Sequence, residues 1–510
     1  MTATWLRIAP LLLAAAVGIV IVDAGFVYDD PSALLENPVV NGTVPAWEAF
    51  VRDFWGRPAS QGFTTWRPLM PLLWALLWKL WPANPLPFHI LSASLHVLAV
   101  AMSMRFMHRL RPSLAWAAGV GTLFALHPLN TETVSAIVAQ ADLLSFSLAL
   151  AACTMALEPA SVRAGTRCAL VLLLATLVKE SAIIFAPLAA LLFLMGRAEK
   201  QGRWLAALPV LLVTGVVIAF QLSLPRAAGI AMITSNLAHQ ASAEFVLLLG
   251  LHNIGRSLLM TVWPWPMAPN HGYAAVELQA ELLAPYAAVG GLLLLIGIAA
   301  GVWAIKGRRT EWVAALSFLY APALLQSHWF VPLITDLAER LLYPSILGIA
   351  MIAATGIFAI LERPAARALA VAALGTVFFV GSFSARRAWA DEDSLWTYAV
   401  RVEPRATLHQ HNVSNTFFRA GDLDRGAYHR FIDVYLVNRF PEAVQWDEID
   451  STDSLSPLER FVELPAILEP DDPCRLVRVF VKEATKYDPL YEHVLEHWGP
   501  RYTHCLPSRP

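Results

Sequence analysis

The chain has 510 residues, 57% of them hydrophobic and only 15% charged, with a formal net charge of −2. Soluble domains carry about 25% charged residues, so this composition excludes a water-soluble globule, and no basic tail of the kind that binds nucleic acid is present. Apolar runs near 20 residues recur along the chain and predict membrane-crossing helices; a membrane β-barrel would show alternating strands of ~10 residues.

In chain order the apolar segments span about 5–24, 88–107, 113–127, 134–157, 168–195, 204–224, 284–305, 312–332, 341–361 and 366–385. The first is too long and too weakly basic at its start for a cleaved signal peptide and lacks a small-residue cleavage site, so it reads as a retained helix. The 18 tryptophans and the prolines near segment ends fit an interfacial aromatic belt. Basic residues occupy alternate gaps: Arg105, Arg109 and Arg111; Arg163 and Arg167; Arg197, Lys200 and Arg203; Lys306, Arg308 and Arg309; Arg363 and Arg367. The positive-inside rule makes those gaps cytoplasmic. Segment 168–195 has basic clusters at both ends, which predicts two short helices meeting near Lys179-Glu180-Ser181. Counted so, the chain makes eleven crossings, with its N-terminus inside and its C-terminus outside. His252, Asn253 and Arg256 interrupt the stretch 244–263, which reads as an interfacial or re-entrant helix because a crossing would invert everything downstream.

Under this topology the loop 25–87, the turn His127–Thr133, Lys179-Glu180, the region 225–283, Asp336–Tyr343 and the C-terminal tail share the external face. Phe26-Val27-Tyr28-Asp29-Asp30 follows the first segment directly. Charged groups at the mouth of a membrane helix are functional-site candidates. Two adjacent carboxylates repel, which raises one pKa toward the range useful for proton transfer; the plainer reading is a helix end before an Asp-Pro turn. Arg67 and Arg340 offer planar donor forks suited to phosphate, or are interfacial arginines snorkelling to headgroups. Lys179 interrupts an apolar run and needs a partner, although adjacent Glu180 does not face it on a helix. His89 and His96 share a helical face, where bundle packing outweighs a metal site. Glu132 and Asp142 add acids near the same face, with helix start and polar packing as alternatives. Cys153 and Cys168 read as packing residues; Cys474 and Cys505 form a disulfide if the tail lies outside the cytoplasm. No P-loop, dinucleotide fingerprint or Cys-rich metal signature is present.

Taken in order, Tyr28-Asp29-Asp30, Leu35-Glu36-Asn37-Pro38, Asp53-Phe54-Trp55-Gly56, Trp66-Arg67-Pro68-Leu69, Phe88-His89 with His96, His127-Pro128 with Thr131-Glu132, Ala141-Asp142-Leu143-Leu144, Lys179-Glu180, and Ala338-Glu339-Arg340 with Leu342-Tyr343-Pro344-Ser345 resemble the membrane part of the TMTC proteins. These are transmembrane O-mannosyltransferases carrying tetratricopeptide repeats, within the GT-C glycosyltransferase superfamily; the resemblance covers about residues 20–415. It implies an all-α polytopic fold and transfer of a sugar, mannose or another hexose, from a polyprenyl-phosphate donor to a hydroxyl acceptor (protein, glycan or lipid) on the external face, with inversion. It further implies Asp29 as base with Asp30 beside it, Lys179, Arg67 and Arg340 on the donor phosphate, and Tyr28, His89, His127, Glu132, Asp142, Glu180, Glu339 and Tyr343 in support. No cofactor is expected, and no metal, although acids in the first loop of some relatives bind a divalent ion.

Two features depart from the family pattern. Ser92 or Ser94 stands where Asn often follows the Phe-His pair. After Trp389–Trp396 one repeat-like helix pair is visible, to about Phe440, where the family continues into a long array. The expected organisation is a transmembrane catalytic domain 1–385, a tetratricopeptide-like pair 386–440 and an extracytoplasmic segment 441–510. An isolated repeat must dock on the membrane domain or on the last segment, since arrays need about three units. Ala and Arg enrichment with short loops points to a bacterial inner membrane with a periplasmic site; in a eukaryote the same face would be the endoplasmic reticulum lumen, with Asn41 and Asn412 as glycosylation acceptors. A lipid-linked sugar flippase and a non-catalytic assembly subunit are the alternatives. Against the flippase, no internal repeat is visible.

Overall fold

A computed structural model of the chain describes residues 3–62, 65–196, 200–224, 242–272, 280–331, 333, 335–437, 455–468, 471–484 and 488–505. Among them the regular structure is helical apart from an isolated bridge between Arg52 and Pro58. The helices are α1 (Ala3–Ile19), α2 (Leu69–Leu80), α3 (Pro85–Leu110), α4 (Leu114–Leu126), α5 (Asn130–Ser135), α6 (Gln140–Met155), α7 (Val162–Val178), α8 (Ala186–Met195), α9 (Lys200–Ser223), α10 (Ala243–Val262), α11 (Ala280–Lys306), α12 (Thr310–Leu325), α13 (Tyr343–Ile360), α14 (Pro364–Ala388), α15 (Glu392–Val402), α16 (Thr407–Arg419), α17 (Leu423–Val437), α18 (Pro457–Leu468), α19 (Pro473–Ala484) and α20 (Asp488–Tyr502). Seven helices among the described residues are long and apolar enough to cross a membrane, with five shorter apolar helices beside them. The protein is a polytopic all-α membrane protein.

One continuous core joins α1, α3, α4, α6, α7, α8 and α13, built on small residues such as Ala99, Ala117, Ala149 and Ala189 that let backbones approach closely. The predicted break at Lys179 is real. Gly165, near the start of α7, lies against the Ala206 backbone so closely that any Cβ would clash, and Arg203 donates to the Leu194 carbonyl at 3.0 Å. Both ends of the 162–195 hairpin therefore meet the start of α9, and its tip, Lys179 and the 3-10 turn Glu180–Phe185, lies at the opposite end of the bundle.

Two regions differ from the sequence expectation. The loop after α1 contains α2, an apolar 12-residue helix too short to cross, which buries Trp74 and hydrogen-bonds its indole to Gln140 Oε1 at 2.8 Å. α10 is continuous through its polar residues and satisfies the length and hydropathy of a span. Its partners nonetheless lie at the end of the bundle that carries the Lys179 tip: the Val246 carbonyl takes the Trp329 indole, Asn253 donates to the carbonyls of Gln326 and Asp336, and the Thr261 carbonyl meets His127.

The C-terminal helices dock in both directions. α15 buries Leu395, Trp396 and Ala399 against Val27 and Ala136 of the membrane domain. α17 packs Phe431 and Tyr435 into a second core with Phe461 of α18, Phe480 of α19 and Trp498 of α20. Gly421, at φ +80°, makes the left-handed turn between α16 and α17 that residues with a Cβ rarely adopt. Cys474 and Cys505 are disulfide-bonded, while Cys153 and Cys168 are buried and reduced.

Candidate active site

The site forms where the loop after α1, the start of α2, the turns flanking α5 and α7, and the start of α13 meet at the Lys179 end of the bundle. Tyr28 sits in the left-handed region at φ +63°, a strained conformation for an aromatic residue. Four contacts hold it. Its N–H donates to Glu392 Oε1 at 2.6 Å, and its ring lies edge-on to Trp389 and Trp396. The Arg340 guanidinium stands 5.9 Å from the ring centroid. That backbone conformation turns the two following carboxylates to different fates.

Asp30 is fully buried. Its carboxylate accepts the Val138 N–H at 2.8 Å and the Val27 N–H at 3.2 Å, tying the loop after α1 to the turn before α6. Burial pushes its carboxyl up to about 7, opposed by these N–H bonds, with the Asp29 charge the last of the causes. Desolvation thus outweighs mutual repulsion in raising Asp30, whose carboxylate braces two loops against each other. Asp29 is half-buried. Burial raises its carboxyl above the usual carboxylate range, while the charges of Arg340 and Arg67 pull it down and Glu392 pushes it up.

Arg340 and Arg67 lie within electrostatic reach of Asp29 and Lys179 within reach of both arginines, each cation held by a carboxylate from a distant part of the chain. Arg67 makes a two-pronged pair with Glu180, Nε and Nη2 each 2.7 Å from a carboxylate oxygen. Lys179 Nζ lies 2.6 Å from Asp142 Oδ1. Arg340 meets Glu132 twice, through Nη1 at 2.6 Å and its own backbone N–H at 2.9 Å. Arg67, Lys179 and Arg340 are within electrostatic reach of one another. Lys179 thus pairs with Asp142 of α6 and not with its neighbour Glu180; its extended backbone, φ −154° and ψ 126°, lies at the break between two helices. Beside Asp142 a narrow cleft opens between the 181–185 turn and residues 341–344, lined by Ser145, Phe146, Ile184, Phe185, Leu325 and Leu341.

Four expected site residues lie apart from this cluster. Glu339 points away from its neighbour Arg340, accepting the Ala268 N–H at 2.7 Å and facing His271 Nε2 at 3.1 Å. His271 in turn faces Glu403 at 3.3 Å. The Tyr343 hydroxyl meets His96 Nδ1 at 2.8 Å inside the helix core. His89 bonds the Gly25 carbonyl at 3.0 Å and His127 the Thr261 carbonyl at 3.1 Å. Backbone groups occupy Glu339 Oε1 and one ring nitrogen each of His89 and His127, and the His96 ring occupies the Tyr343 hydroxyl. Glu392, which the sequence reading passed over, belongs to the site through the Tyr28 N–H and the Trp396 indole. Its signal is its place just after the helix N-cap Asp391, whose carboxylate accepts the Ser394 N–H at 2.8 Å.

Among the described residues the group gathering three metal-ligating side chains is Cys474, His504 and Cys505, whose two thiols are spent in the disulfide. Both Asp30 oxygens accept backbone N–H groups, which leaves Asp29 the more open of the two carboxylates.

The fold and cluster define a membrane protein with three paired cations and one half-buried carboxylate at one end of its helix bundle. The chain is 28% identical over 197 residues to the protein O-mannosyl-transferase F38B6.6 of Caenorhabditis elegans, covering 37% of this chain and 28% of that protein. It is 39% identical over 123 residues to Tmtc2 of Drosophila melanogaster (24% of this chain, 13% of that protein) and 36% over 132 residues to TMTC3 of Homo sapiens (25% and 14%). The matched stretch thus spans at most 28% of the length of these relatives. No family model and no solved structure matches the chain. Over these stretches the chain is similar to TMTC-type protein O-mannosyl-transferases.

Proposed function

We propose that the chain is a GT-C-type glycosyltransferase that moves a hexose, mannose by analogy with its relatives, from a polyprenyl-phosphate donor to a hydroxyl at the site-bearing face, inverting the anomeric centre. The observation that carries this reading is the convergence of Asp29 with Arg67, Lys179 and Arg340. Asp29 takes the acceptor proton as the hydroxyl oxygen attacks. The leaving group is a lipid phosphodiester, so what the reaction needs is positive charge beside the departing phosphate.

The ion pairs tune these cations without consuming them. Arg67 pairs through Nε and Nη2, which directs Nη1 elsewhere, and Lys179 uses one of three N–H donors on Asp142. Guanidiniums held by carboxylates are preorganised and lose little side-chain entropy when a phosphate arrives. The Cys474–Cys505 disulfide supports an extracytoplasmic C-terminal region, and we retain the eleven-crossing count with the site outside: the periplasm in a bacterium, the endoplasmic reticulum lumen in a eukaryote. With Asp30 committed to backbone, the reaction as proposed uses no metal; activity that survives chelation supports this, and loss restored by Mg²⁺ or Mn²⁺ overturns it.

The test is transfer by the purified protein from polyprenyl-phosphate mannose to Ser/Thr peptides, with the product anomer read by NMR. Inverted product supports the reading. Retained configuration, or lipid translocation with no transfer, contradicts it.

A further inference from the structure

Glu392 opens α15 without capping it. Asp391 does that: its carboxylate accepts the Ser394 N–H at 2.8 Å, and its own N–H reaches Ser394 Oγ at 3.3 Å. An acid in the first turn of a helix commonly does no more than face the helix's positive end. Glu392 is placed differently. Its Oε1 accepts the Tyr28 N–H at 2.6 Å across 364 residues of chain, and its Oε2 takes the indole N–H of Trp396. Both oxygens are thus engaged by donors of the protein itself, so Glu392 acts on the reaction through Tyr28 and not on the substrate.

That hydrogen bond matters because of where Tyr28 stands. At φ +63° a residue with a Cβ is strained, and a charge-assisted bond to its N–H is the kind of contact that holds such a conformation against relaxation. A second tie runs alongside: the Gly25 N–H donates to the Ala390 carbonyl at 2.9 Å. The stretch 25–28 is therefore clamped at both ends to residues 390–392, and Asp29 follows the clamped end directly. α15 is itself seated on the membrane domain, since Leu395 and Trp396 share a core with Val27 and Ala136. The Glu392 charge also acts through space. Arg340 and Arg67 favour ionised Asp29, burial and Glu392 oppose it, and Asp30 adjoins it in the chain, so loss of the Glu392 charge makes Asp29 a weaker base.

We propose that Glu392 is a positioning residue for the transfer, through which the seating of α15 on the membrane domain governs the direction of Asp29. With α15 seated, the Tyr28 N–H is held, Tyr28 stays left-handed, and Asp29 stays within reach of the Arg340 and Arg67 charges. With the bond broken, Tyr28 relaxes to negative φ and the peptide that carries Asp29 turns with it. The C-terminal helices thereby regulate the site they adjoin. The consequence for rate rests on the transfer reading above; the clamp itself does not.

The test uses the full-length protein in detergent, with Glu392→Gln, Glu392→Ala, Tyr28→Gly and the combination of the last two. Glu392→Ala is expected to lower kcat at least 10-fold, with the donor KM within about threefold of wild type. Glycine adopts the left-handed region without a Cβ penalty. In the Tyr28→Gly background the same substitution is therefore expected to cost less than about threefold, a rescue that misfolding would not produce. Glu392→Gln keeps an acceptor oxygen for Tyr28. It is expected to hold kcat within about threefold at the optimum and to move the acid limb of kcat/KM to lower pH, because the charge opposing Asp29 ionisation is gone. Amide hydrogen exchange of the segment 25–30 needs no turnover, and it is expected to quicken at least 10-fold in Glu392→Ala. Wild-type kcat in Glu392→Ala, an equal cost in the Tyr28→Gly background, or unchanged exchange would overturn the proposal. Quickened exchange in a protein that transfers no sugar would fault the transfer reading alone; transfer at the wild-type rate by Glu392→Ala would fault this one alone.

Discussion

Glu132 grips Arg340 by both its guanidinium and its backbone N–H, at 2.6 and 2.9 Å, across 208 residues of chain. One carboxylate from α5 thereby fixes both the position and the direction of the guanidinium that stands by Tyr28 and Asp29. Glu132→Gln keeps the size and one acceptor oxygen but removes the charge. Transfer is expected to fall by about 10- to 100-fold, less than the roughly 10²- to 10³-fold loss typical of removing a preorganised donor outright, as in Arg340→Met. Initial rates of the two purified variants check the order; equal losses would mean that Glu132 acts by itself.

The Lys179–Asp142 pair separates stability from chemistry. Both side chains are at most 10% exposed, so Lys179→Met leaves a buried carboxylate uncompensated, a change worth about 3–5 kcal/mol. The double variant Lys179→Met/Asp142→Asn is expected to regain most of the thermal stability and none of the transfer. Recovery of transfer alongside stability would show the ammonium to be purely structural.

Burial raises the carboxyls of Asp30 and Glu132 to about 7 from ordinary values of 3.8 and 4.5. A raised folded-state value favours the protonated form, so this contribution to stability is fully present below about pH 4 and is lost as pH rises toward 7. Relative to the wild type, Asp30→Asn is therefore expected to gain thermal stability as pH rises from 5 to 8, because the buried histidines that titrate the other way, such as His409 and His429 held down at about 4, are common to both proteins. A variant-minus-wild-type difference in melting temperature that stays flat or falls over that interval would contradict the assignment.

Much of this site could be read from the sequence because membrane depth makes charge conspicuous. Lys179 and Asp142 stand out against apolar runs, and Arg67 and Arg340 sit at segment ends. What linear order could not supply was partner choice: Arg67 finds Glu180 across 113 residues and Glu132 finds Arg340 across 208. The different roles of adjacent Asp29 and Asp30 were equally hidden, because they follow from the left-handed Tyr28 and from two backbone N–H groups, one of them 108 residues away. The direction of Glu339 was hidden as well, because a 3-10 turn sends it toward His271 while its neighbour Arg340 faces the cluster. α2 went unseen because a 12-residue apolar run inside a loop lacks the length that marks a crossing.

The most direct test replaces Asp29 by Asn and measures two quantities on one preparation: sugar transfer, and equilibrium binding of the polyprenyl-phosphate sugar. Loss of a general base costs about 10²- to 10⁴-fold, so transfer should fall by that factor while donor affinity stays within about twofold of wild type. An Asp29→Asn protein that turns over at the wild-type rate would contradict the account.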